Sequence, residues 1–102
     1  MSNTSESNMS VYIENPKDGY KRQLVEETIR ILKRDYGFQD PTKISGKGQE
    51  VYLLPVPNQL SPEKRGALNT MTVQLRKDHD VKAGVVDFAT ESLIKLFRHG
   101  RL

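Results

Sequence analysis

The chain contains no cysteine and no tryptophan. Without thiols it can form no disulfide, no thiolate nucleophile and no Cys-based zinc or iron–sulfur site. Histidine is scarce, with two among 102 residues. No nucleophile motif assembles around them, so no enzyme, no cofactor and no metal site is expected. Asp78-His79-Asp80 reads as a solvated helix end, because adjacent side chains in a turn rarely converge on one ion. No apolar run approaches the roughly 20 residues needed to span a bilayer, so no membrane partner is expected. The opening Met1-Ser-Asn-Thr-Ser-Glu-Ser-Asn has neither a basic n-region nor an apolar h-region, and the expected location is the cytoplasm.

Acid is missing from one end. The chain carries 16 Lys and Arg against 13 Asp and Glu, a formal net charge of +3. Every acid lies at or before Glu91, so Lys95, Arg98 and Arg101 supply the whole surplus. A local cation cluster attracts anionic partners, whereas a diffuse one mainly aids solubility. The segment Thr42-Lys-Ile-Ser-Gly-Lys-Gly-Gln49 is also free of acid and carries Lys43 and Lys47. Glycine-exposed N–H groups beside lysine suit phosphate contact. The Walker A order is nonetheless missing, and the segment precedes a strand where a P-loop precedes a helix.

What is present points to one α+β domain over residues 10–102, behind a polar tail at 1–9 that has too few apolar side chains to order itself. Ser10-Val-Tyr-Ile-Glu14 reads as a short strand ending at Asn15-Pro16. From Tyr20 to Tyr36, Val25, Ile29, Leu32 and Tyr36 form one helical stripe, widened by Leu24, Thr28 and Ile31. Asp18 is placed to cap its start, and Gly37 to end it with Phe38 as the apolar contact behind. Residues 39–49 read as a loop. Glu50 to Pro57 is the strongest strand segment, and Pro55 makes it an edge strand or ends it early, since proline gives no ladder donor. Ser61-Pro62-Glu63 opens a second helix, with Ala67, Leu68, Met71 and Leu75 on its apolar side to about Arg76. A third strand at 81–86 and a terminal helix at 88–98, with Asp87 as its cap, complete a β-α-β-α-β-α order around three strands. The alternative is helix through 81–88, giving a mostly α domain with a two-stranded ribbon.

These features predict a small non-enzymatic accessory or regulatory protein that binds nucleic acid, DNA or RNA. Phosphates would meet Lys43, Lys47, Lys95, Arg98 and Arg101. The alternative is an adaptor or assembly factor that takes a protein partner on the amphipathic terminal helix or on an edge strand.

Overall fold

In a computed structural model of the protein, which describes residues 8–46 and 48–99, four strands and three helices follow in the order β-α-β-β-α-β-α, not the expected β-α-β-α-β-α. They are β1 (Ser10–Glu14), α1 (Gly19–Asp35), β2 (Thr42–Gly46), β3 (Gln49–Pro55), α2 (Pro62–His79), β4 (Ala83–Val86) and α3 (Thr90–Arg98). The α+β class is as the sequence predicts, but the sheet has four strands instead of three. None of the described residues forms a helix long and apolar enough to cross a membrane.

The sheet order is β2-β3-β1-β4, and every neighbouring pair is antiparallel. Thus β1 and β2 run parallel with β3 between them, while β3 and β4 run parallel with β1 between them. Two β-α-β units interlock, which is the split-βαβ, or ferredoxin-like, connectivity. β3 is an inner strand, not the edge that Pro55 suggested. Its neighbour Val56 donates its N–H to Met9 O at 3.0 Å on the β1 side. Alternation turns the Pro55 nitrogen the other way, and β2 has already ended there at Thr42, opposite Leu53. The proline therefore removes no ladder bond.

The segment read as a loop contains β2. Its exposed side chains and single large apolar residue, Ile44, hide the alternation that would mark a strand. Gly46 pairs with Gln49, and Gly48 takes a φ of 77°, the left-handed conformation that a tight hairpin needs. Met9, assigned to the polar tail, packs against the core beside β3; residues 1–7 of that tail lie outside the described residues.

One face of the sheet carries Val11, Ile13, Leu54 and Ala83, which pack under Val25, Ile29 and Leu32 of α1 and Leu68 and Leu75 of α2. Both helices start as their sequences predict. Asp18 accepts from Lys21 N–H at 3.0 Å, and Ser61 from Lys64 N–H at 3.2 Å, with Pro62 at the first turn. They also end alike. Gly37 (φ 74°) and Asp80 (φ 54°) are left-handed, and the next residue returns its N–H to a leucine carbonyl: Phe38 to Leu32 at 3.1 Å, Val81 to Leu75 at 3.0 Å. Phe38 and Val81 are then buried, anchoring each chain reversal. α2 thus runs on to His79, past the expected end near Arg76.

Candidate functional site

The second face of the sheet is built differently. Alternation places Ser10, Tyr12 and Glu14 of β1 on it, beside Val51 and Leu53 of β3 and Gly84 and Val86 of β4. Among the described residues, only α3 covers this face. It packs over β2 and β3, with Leu93 buried and Phe97 resting on Gly46. A Cβ at Gly46 would lie 2.9 Å from Phe97 Cε1, so the glycine is a seat for the ring. Gly84 plays the same part for Tyr12: a Cβ there would stand 2.8 Å from Tyr12 Cε1 and 2.9 Å from its hydroxyl. Two strand glycines, each covered by an aromatic ring, hold those rings low against the sheet.

Ser10 fixes the approach to α3. The residue is completely buried, and its hydroxyl donates to Phe88 O at 2.8 Å and lies 3.0 Å from Thr90 Oγ1. α3 begins at Thr90 behind Ala89, which makes no side-chain cap, so Asp87 does not cap it and the expected start at 88 is two residues early. The Ser10 tether caps none of the helix N–H groups but pins the turn that leads into α3. Phe88 remains 50 % exposed beside it.

Between α3 and the uncovered part of this face lies a cleft of ≈ 550 Å³. Tyr12, Val51, Leu53, Val86, Leu93 and Phe97 give it apolar walls, while Glu14, Arg76, Asp80 and Lys82 stand among its polar residues. Arg76 reaches from α2 to Ala83 O at 2.6 Å. That carbonyl points away from β1, because Lys82 O is the one that meets Glu14 N–H at 2.8 Å. The guanidinium therefore covers part of the open β4 edge, where unpaired strands invite aggregation.

The cations singled out in the sequence fall in several places. Lys95 and Arg98 are exposed on α3, away from the buried Leu93. Lys43 is exposed on β2 but pairs with Tyr52, whose side chain packs against the α1/α2 core, so it stands on the opposite face from α3. All three flank the β2 end of the sheet, on two sides of it. Lys47 and Arg101 lie outside the described residues. Four α1 cations have carboxylate partners: Lys21 with Asp80, Arg30 with Glu27, Lys33 with Asp40 and Arg34 with Asp35. The hydrogen bond from Arg34 holds the Asp35 carboxyl below its ordinary range and raises the guanidinium in turn. Among the described residues, no His, Asp and Glu group is arranged to hold a metal ion.

Sequence reasoning missed the cleft entirely. Tyr12 is far in the chain from Arg76 and Lys82, and the β1–β4 register brings it to them. The one available signal was the pair of glycines, Gly46 and Gly84, inside short β-capable segments, since strand glycines often mark a close approach. Comparison with family models, curated proteins and solved structures finds no match for this chain.

Proposed function

We propose that the protein is a small, non-enzymatic accessory factor that binds nucleic acid around the β2 end of its sheet, through Lys95 and Arg98 of α3 on one face and Lys43 on the other. Lys47 and Arg101, adjacent in sequence, extend the same set. The observation that carries this reading is the contrast in pairing. Four of the five α1 cations, Lys21, Arg30, Lys33 and Arg34, meet a carboxylate and the fifth, Arg22, meets the Pro16 carbonyl, whereas Lys43, Lys95 and Arg98 are exposed with no carboxylate partner among the described residues. Glu91, the acid of α3, sits in its first turn, where the helix dipole favours it. Unpaired exposed cations are available to displace condensed counterions from phosphates.

Titration with a single-stranded oligonucleotide, as DNA and as RNA, tests the proposal. Affinity should fall steeply as salt rises, and Lys95→Glu or Arg98→Glu should each flatten the salt slope by about one. Salt-independent binding, or no effect of either substitution, would sink it. A second reading, a protein-binding adaptor, is favoured by the short exposed strand β2 at the sheet margin, which offers backbone for strand addition. It becomes the better reading if oligonucleotides leave the amide spectrum unmoved.

A further inference from the structure

We infer that the cleft between α3 and the sheet is a binding site for a small organic anion with a flat apolar body, of the aromatic-carboxylate class. This goes beyond nucleic-acid binding, which uses the outer side of α3; the cleft lies on its inner side.

The volume of ≈ 550 Å³ is within the range of small-molecule sites, and apolar walls with a few convergent polar groups are their usual composition. The shape favours a flat guest. The Tyr12 ring crosses onto Gly84 and the Phe97 ring onto Gly46, so both rings lie low and line the cleft with aromatic surface. A rigid aromatic body stacks on such surfaces and loses little rotational freedom on binding.

Charge decides the head group. Two acids border the cleft, and both are engaged: Glu14 Oε1 accepts the Lys82 N–H at 2.9 Å, and Asp80 Oδ2 pairs with Lys21 Nζ at 3.4 Å. The two cations keep donors free. Arg76 spends Nη1 on the Ala83 carbonyl and keeps its other donors, and neither it nor the Lys82 ammonium has a carboxylate partner among the described residues. The register gathers these groups. Tyr12 lies opposite Gly84, Lys82 precedes Gly84 by two residues on the same face, and Arg76 is bonded to the residue between them. The Tyr12 hydroxyl, which makes no hydrogen bond among the described residues, adds a neutral donor. A carboxylate guest finds free donors on Arg76, Lys82 and Tyr12.

Naphthalene-2-carboxylate is the probe, with 2-naphthylmethanol and 2-naphthylmethylammonium as neutral and cationic counterparts. Titrated into the full chain, the carboxylate should bind about tenfold more tightly than the alcohol, as a charge-assisted contact requires. Its amide-shift changes should centre on Tyr12, Val51, Leu53, Val86 and Leu93. Val51→Trp, which fills the cleft, should abolish binding. Lys82→Gln, at an exposed position that leaves the fold intact, should remove most of the preference for the carboxylate. Equal binding of the three heads, shifts centred elsewhere, no binding, or full preference retained by Lys82→Gln would each overturn the assignment.

Discussion

At the scale of single residues, the second sheet face depends on what is missing at two positions. Gly84 exists in β4 because Tyr12 occupies the space a side chain would take. Gly84→Ala should cost about 1 kcal/mol or more, the usual consequence of overpacking, in urea unfolding. In a Tyr12→Ala background the same substitution should be neutral or stabilising, so the double-mutant cycle reports the contact directly. If the cost persists without the ring, the backbone and not Tyr12 demands glycine. Asp35 illustrates the opposite case. Its lowered pKa gives a contribution present above the ordinary carboxylate range and lost as pH falls through the folded-state value. Both partners are fully exposed, so solvent screening leaves little of it.

At the scale of elements, the paired endings of α1 and α2 separate an easy reversal from a strained one. Gly37 adopts its left-handed conformation freely, whereas Asp80 carries a Cβ into the same region. Asp80→Gly should raise the unfolding free energy by about 0.5–1 kcal/mol, part of the relief being offset by glycine's freedom in the unfolded chain. A loss of stability would mean that the exposed 3.4 Å pair with Lys21 outweighs the strain. Elements with strong local signals were legible in the sequence. Asp18, Ser61-Pro62 and Gly37 mark helix ends through backbone chemistry that acts within a few residues. β3 was also legible as a strand, because Leu53 and Leu54 are buried on opposite faces and produce a continuous apolar run. Its place in the sheet was not. Pro55 signals an edge only when its nitrogen faces a partner strand, and that depends on where β2 stops. β2 itself owes its existence to pairing with β3; Thr42-Lys-Ile-Ser-Gly has no apolar face of its own to announce it. Lys95 and Arg98 were legible as a charge cluster, yet Lys43 turned out to face the other side, since one residue of strand register decides the face.

At the scale of the whole molecule, α3 is joined to the interlocked sheet by the buried Ser10 hydroxyl. Ser10→Ala should cost about 1–2 kcal/mol, since it leaves a carbonyl and a threonine without their partner. Hydrogen exchange should accelerate in α3 more than in β3. Uniform acceleration across the sheet would show that the tether holds the whole fold and not the helix alone. Beyond stability, the interlocking sets a timetable. During synthesis β1 emerges before every other strand, yet it lies between β3 and β4, and β4 is made roughly 70 residues later at about 5–20 residues per second. For some seconds the nascent chain therefore holds a central strand with one flank still unwritten, and the ribosome, not the fold, must keep that flank from other company.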